Sequence, residues 1–287
     1  MIIEQLFPRV VEARDDLRWR LVAEARAARW THHDVEELVS SIPVSLLSSP
    51  CFKDKLTGLW RYEFGHPYHL KTTNELLWGT HMWVPVTTLF AVFACARRWL
   101  ADEGRRTYLQ RLANPEKHQD VLAEMAPMLR VSACIPVRFE VPRMGKGNKT
   151  VDWLIGPRDG RLVLLEVKRR AIDLIRQMER LGGDKIVPEP DHDPAVLFKS
   201  VEEKFEKSNP THQLQGVWVV TDIKQERSEL AKAFDFLDAT KVHFAVLGDF
   251  KPDVHLLVRR SEDRQFLLDT FQTVESPRSM FERTGPN

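Results

Sequence analysis

The sequence predicts an α/β protein of the mixed α+β kind, preceded by a mostly helical N-terminal region. Three observations predict it. From Arg9 to Trp30 the chain is rich in Ala, Arg, Leu and Glu and holds no Gly or Pro, which favours helix by propensity alone. Beyond Asn114-Pro115, short runs of branched and aromatic residues bounded by Gly or Pro alternate with segments of helical periodicity. The 287 residues amount to roughly two domains of about 150 residues each. The expected division is 1–112 as a helical region serving specificity, dimerisation or partner docking, 113–260 as the α/β domain, and 261–287 as a C-terminal helix and tail.

After the first helix, Thr31-His32-His33-Asp34 has the form of a capped start, with an acidic residue three places after the Thr, and predicts a short helix through Ser40. Pro43, Pro50, Gly58, Gly65 and Pro67 then punctuate an irregular stretch. A further helix is expected from about Val86 to Ala101. Asn114-Pro115 resembles a cap followed by proline at the first helical position, and Val121, Leu122, Met125, Met128 and Leu129 form one apolar stripe. Strands follow at Ala133–Val141, Thr150–Ile155 and Arg161–Val167, then a helix from Ala171 to Leu181 and a Pro-rich acidic loop. Pro194–Lys207 reads as helix, Gly216–Thr221 as strand, Glu226–Ala239 as helix, and Val242–Leu247 and Val254–Val258 as strands. No internal repeat or low-complexity linker interrupts the chain.

Composition narrows the function classes. With 43% hydrophobic and 29% charged residues, 13 Gly and 17 Pro, the chain is neither collagen-like nor broadly disordered. Cys51, Cys95 and Cys134 are odd in number and far apart, and Met1-Ile2-Ile3-Glu4 lacks a secretory start, so a reducing, cytoplasmic setting is expected. Leu76–Ala96, followed by Arg97-Arg98, is apolar enough to suggest a membrane span. It carries His81, Pro85, Thr87 and Thr88, however, which a lipid-facing helix would have to shield, and a buried helix is expected instead. The net charge of +1 by itself demands no polyanionic partner.

The segment that carries chemistry runs from Val151-Asp152-Trp153-Leu154-Ile155 through Gly156-Pro157-Arg158-Asp159-Gly160 to Arg161-Leu162-Val163-Leu164-Leu165-Glu166-Val167-Lys168. Alternation along a strand puts Leu162, Leu164, Glu166 and Lys168 on one face. If the five-residue turn pairs Ile155 with Arg161, Asp152 lies opposite Leu164 and diagonal to Glu166, with Cβ atoms roughly 7–8 Å apart. Two carboxylates can then converge on one hard cation. Such oxygen ligands suit Mg²⁺, with Mn²⁺ as a substitute, and a lysine beside them can hold a water or a phosphate oxygen. The chemistry these groups suit is phosphodiester hydrolysis.

An acid, a short turn and Glu166-Val167-Lys168 resemble the motif of the PD-(D/E)XK, or restriction-endonuclease-like, nuclease superfamily. That family's order of helix, three strands, helix and strand matches the elements expected over Asn114–Thr221, about the middle third of the chain. The resemblance implies a restriction-endonuclease-like mixed sheet flanked by helices, with Asp152 and Glu166 as metal ligands, Lys168 assisting catalysis and the Val167 carbonyl as an extra ligand. The proline that names the motif is Val151 here. Many members add an acid from the preceding helix, and Glu124, at the flank of the apolar stripe, fits that role better than Asp120 or Glu116. The implied function is that of a Mg²⁺-dependent endodeoxyribonuclease acting on nucleic acid, DNA in preference to RNA. The alternative is a catalytically silent domain that binds nucleic acid or assembles with protein.

Local charge agrees with a polyanionic substrate. Arg143–Arg170 holds eight basic residues against three acidic ones, whereas Asp184–Glu206 holds seven acids and three bases. Arg143, Lys146 and Lys149 in a Gly-containing loop, with Arg169 and Arg170 after the strand, are the expected phosphate contacts. Gln213 and Gln215 are further possible substrate contacts. His118, on the apolar face of its helix, reads as a core histidine. His66-Pro67-Tyr68-His69 and Asp191-His192-Asp193 lack a second ligand pair at zinc-finger spacing. The N-terminal tryptophans, Trp19, Trp30, Trp60, Trp78, Trp83 and Trp99, read as helical core.

Overall fold

Strand pairing organises the second half of the chain, and helices together with a three-stranded sheet build the first. The structure, a computed structural model, describes residues 8–43, 47–69, 76–132, 134–170, 194–221, 226–250 and 253–275. These divide into two compact units, one running up to Leu122 and the other comprising Ala123–Arg170 with the described residues beyond 193.

In the first unit, α1 (Pro8–Ala27) turns Leu17, Leu21 and Ala25 inward. A short second helix, α2 (His32–Ser40), begins on a complete capping box. The Thr31 hydroxyl accepts the Asp34 N–H at 3.2 Å, and the Asp34 carboxylate accepts the Thr31 N–H at 2.9 Å. Asp34 also pairs with Arg97 at 2.9 Å, and Trp30 packs on Phe90 and Phe93, tying the capped turn to α3 (Val86–Trp99). A fourth helix, α4 (Asp102–Leu112), follows.

The expectation of a mostly helical N-terminal region needs correction, because a three-stranded antiparallel sheet lies between α2 and α3. Its strands are β1 (Leu47–Lys53), β2 (Trp60–His69) and β3 (Leu76–Pro85). Pro50 and Pro67, which read as breakers, are tolerated here for a positional reason. Among the described residues β1 is an edge strand and β2 has no neighbour on the β1 side beyond Phe64, so neither proline interrupts a ladder flanked there on both sides. The apolar run Leu76–Ala96 therefore splits at Pro85 into a strand and the start of α3. Among the described residues, no helix is long and apolar enough to cross a membrane.

α5 (His118–Glu124) starts three residues later than Asn114-Pro115 suggests. Asn114 does cap a turn, its side-chain oxygen accepting the Glu116 N–H at 2.9 Å. Pro127 opens a separate 3₁₀ turn, Pro127–Leu129, so the apolar stripe is shared between two short helical pieces.

The second unit is built on a mixed seven-stranded sheet. Its strands are β4 (Val137–Val141), β5 (Val151–Arg158), β6 (Arg161–Arg169), β7 (Gln213–Val220), β8 (Phe244–Gly248), β9 (Asp253–Val258) and β10 (Val274–Glu275). They lie side by side in reverse chain order, β10 to β4. β4, β5 and β6 form an antiparallel meander, β6, β7 and β8 run parallel, and β9 returns antiparallel.

α6 (Pro194–Glu202) and α7 (Glu226–Asp235) cover one face, where Phe198, Val201, Phe205, Leu230 and Phe234 meet Leu154, Leu164, Val217 and Val219. The other face buries Trp153 and Trp218, with Phe271 of α8 (Glu262–Phe271) against Trp218. Burying both faces accounts for the near-continuous apolar runs of β7 and β8. The expected helix over Ala171–Leu181 and the acidic loop after it lie outside the described residues.

Candidate metal and nucleic-acid site

The β5–β6 hairpin sets the geometry, and its register differs from the one expected. Its turn has two residues, not five: Asp159 (φ 50°) and Gly160 (φ 76°) both adopt left-handed conformations, and Arg158 pairs with Arg161. Two positive-φ residues in a two-residue loop make a type I′ turn, whose twist matches the flanking strands, and Asp-Gly is its preferred sequence. An irregularity between Ile155 and Arg158 absorbs the extra length, and Ile155 then pairs with Val163, Leu154 with Leu164 and Trp153 with Leu165. One step further in the same register sets Asp152 directly across from Glu166. Directly opposed Cβ atoms lie about 4.5–5.5 Å apart, closer than the diagonal placement predicts.

Asp152 and Glu166 stand at the end of the sheet face that α6 covers. The Val167 N–H donates to Asp152 Oδ2 at 2.7 Å, which brings the backbone of Val167 beside the acid. Glu166 is fully buried next to Val217. Burial in this apolar setting pushes its carboxyl up to about 7; the neighbouring Asp152 charge adds to the rise, and Lys204 and Lys168 oppose it.

Lys168 Nζ lies 3.8 Å from Glu166 Oε2, and Lys204 Nζ donates to the same oxygen at 2.5 Å. The other oxygen, Oε1, is buried and has no hydrogen-bond partner among the described residues. Two carboxylates, two ammonium groups and one open carboxylate oxygen therefore share a small space.

Lys204 joins this cluster, and sequence reasoning missed it. It sits in the turn that ends α6, 38 positions from Glu166, and no spacing rule connects the two. Its main chain is tied in as well. The Lys204 carbonyl accepts the Lys146 N–H at 2.6 Å, and a Cβ on Gly145 would lie 2.8 Å from that oxygen, so the loop docks only with glycine at this position. Arg143, Lys146 and Lys149 are exposed around this anchored loop. The Gly145 N–H donates to the Lys149 carbonyl, which closes the loop on itself. The exposed side-chain cations are what the loop offers to a phosphate. Arg169 and Arg170 follow Lys168 at partly exposed positions.

Two expectations are corrected. Glu124 does not join the carboxylate pair, because its carbonyl accepts the Trp153 indole N–H at 2.8 Å and Trp153 leaves β5 on the face opposite Asp152. Among the described residues, no group of three or more His, Cys, Asp and Glu side chains is placed to hold a metal ion. Gln215 is closed off from substrate, and the half-buried Gln213 bonds to it. Gln215 is buried and, with its amide oriented as its neighbours require, donates to the carbonyls of Glu206 and Lys241 and accepts from Gln213. Finally, two cations of the basic segment are structural. Arg161 pairs with the buried Asp263, and Arg158 reaches Thr270 and Asp269, pinning α8 to the turn end of the hairpin.

His118 is the core histidine its position suggests: buried, with Nδ1 2.6 Å from the Leu112 carbonyl, and pushed down to about 4 by burial despite that bond. Asp191-His192-Asp193 and the side chains of His66 and His69 lie outside the described residues.

The donor set fits a small hard cation. Mg²⁺ is commonly held by one or two carboxylates and keeps several waters, and Asp152, Oε1 of Glu166 and the Val167 carbonyl are the oxygen donors that such an ion would find here. Compared with protein-family models, with curated proteins and with solved structures, the chain matches none.

Proposed function

We propose that this chain is a divalent-cation-dependent nuclease that hydrolyses phosphodiester bonds, with DNA favoured over RNA. The observation that carries the reading is the opposed pair Asp152 and Glu166, with one buried carboxylate oxygen that has no partner among the described residues and Lys168 beside it on the same strand face. The strand order also supports it. An antiparallel meander bears the acid on β5 and the Glu-Val-Lys on β6, and β7 runs parallel to β6, so the sheet is mixed, the one property of it that the resemblance to PD-(D/E)XK nucleases implies.

Asp152, Glu166 and the Val167 carbonyl would hold Mg²⁺, or Mn²⁺ in its place. When bound, such an ion supplies an acidified water and positive charge against the phosphorus centre. Within the chain, the Val167 N–H fixes the Asp152 carboxylate, and the apolar floor under Glu166 excludes water from one side of the site. Lys168, about one-third exposed at 29%, donates to the attacking water or to a phosphate oxygen. Arg143, Lys146, Lys149, Arg169 and Arg170 contact the backbone of the nucleic acid without reading its sequence.

A specific feature favours the second reading, a silent nucleic-acid-binding or assembly domain. Lys204 already neutralises Glu166, so the cluster is charge-balanced without any metal. Cleavage of a labelled duplex separates the two readings. The wild type is expected to cut with Mg²⁺ and not with EDTA, and Glu166→Gln or Lys168→Ala to lose about a hundredfold or more of the rate while keeping the fold. Binding without cleavage by the wild type in Mg²⁺ and in Mn²⁺ would establish the silent domain.

A further inference from the structure

Lys204 has two attachments that point the same way. Its ammonium lies against Glu166 Oε2, and its carbonyl carries the basic loop through the Lys146 N–H at 2.6 Å. The side chain is about one-quarter exposed, at 27%, so it has a route to solvent that Glu166, at 0%, lacks. A buried carboxylate left without a counter-charge is costly, and the two acids repel each other. Some cation must therefore stay on the pair whenever it is ionised.

From this geometry we infer that Lys204 is the resident counter-cation of the Asp152–Glu166 pair, a placeholder that a divalent ion displaces. This inference rests on the metal-site reading given above. Lys204 is then a positioning residue that competes with the metal, in contrast to Lys168, which lies farther from Glu166 at 3.8 Å and continues the strand toward the expected substrate. Displacement moves one positive charge off Glu166 on the residue that anchors Lys146, so that charge stays beside the basic loop. The two possible roles of Lys204 make opposite predictions. A lysine that merely props Glu166 in place would weaken metal binding when removed, whereas a competing cation would strengthen it.

Calorimetric titration of Mn²⁺ and of Mg²⁺ into the full chain tests this on four proteins: wild type, Lys204→Met, Lys204→Arg and Asp152→Asn. Lys204→Met is expected to bind Mn²⁺ about tenfold or more tightly than wild type, because one unit charge within a few ångströms of the ion has been removed. Lys204→Arg keeps the charge and is expected to stay near wild type. Should Lys204→Met fail to fold by circular dichroism, Lys204→Gln, neutral but still able to donate to Glu166, carries the same expectation.

Equal or weaker binding by the neutral variant, with binding abolished in Asp152→Asn, would overturn the placeholder role and leave the metal site standing. No ion bound by wild type or by the neutral variant, or binding unaffected in Asp152→Asn, would remove the metal site and the inference together.

Discussion

Asp152 illustrates how one side chain serves both architecture and chemistry. Its carboxylate accepts the Val167 N–H at 2.7 Å and lies opposite Glu166, so removing it costs a hydrogen bond and relieves a repulsion at once. The lost bond leaves a main-chain donor unsatisfied, which costs about 1–3 kcal/mol, while relief of the repulsion returns part of that. Asp152→Ala is therefore expected to destabilise the fold by about 1–2 kcal/mol in urea unfolding, with Asp152→Asn, which keeps an acceptor, close to wild type. Equal loss in both variants would show that the carboxylate charge, not the hydrogen bond, dominates. Asp152, Glu166 and Lys168 were legible in the sequence because they sit at fixed offsets on one hairpin. Glu124 was misread because helix periodicity locates an apolar stripe but not the sheet face on which the helix end lands. Lys204 was invisible because its partner is 38 positions away, across a tertiary contact.

At the scale of elements, local signals that involve only near neighbours read correctly. The Thr31–Asp34 capping box needs four residues and forms as its sequence predicts. Strands β4 to β9 were found within a few residues because runs of branched and aromatic residues bounded by Gly or Pro mark them, whereas the two-residue β10 falls in what reads as tail. The hairpin register was missed by two places because Asp159-Gly160 was counted inside a longer loop and not weighed as a type I′ turn. The three-stranded sheet at β1 to β3 was missed because its prolines are disruptive only where a strand has neighbours on both sides, a property of pairing that no single segment carries.

Sheet packing also leads to a test at Gly216 in β7. A Cβ there would lie 2.5 Å from the Phe244 ring of β8, with the ring held against Phe271. Gly216→Ala is accordingly expected to cost about 1–3 kcal/mol through overpacking, read from the urea midpoint. A neutral result would mean that Phe244 can swing aside without disturbing β7 and β8.

For the whole molecule, a net charge of +1 conceals a division of labour among the cations. Arg158 and Arg161 hold α8, Lys168 and Lys204 balance the acids, and Arg143, Lys146 and Lys149 remain exposed for a polyanion. Stability should also depend on pH through His118. Burial lowers its folded pKa from 6.5 to about 4, so the unfolded chain binds the proton more readily between those values. Stability is then full above about pH 6.5 and falls as pH drops toward 4, by about 3 kcal/mol over the window. His118→Gln, which can still donate to the Leu112 carbonyl, is expected to lose that dependence relative to wild type in urea unfolding at pH 7.5 and pH 5. An unchanged slope would place the pH sensitivity elsewhere.

The central claim is that the opposed acids form a hydrolytic metal site, and nicking of supercoiled plasmid by wild type and by Asp152→Asn, each with Mg²⁺ and with EDTA, tests it most directly. The account predicts nicking by wild type in Mg²⁺ alone and none by Asp152→Asn. Nicking that persists at the wild-type rate in Asp152→Asn, or that survives EDTA, would contradict it.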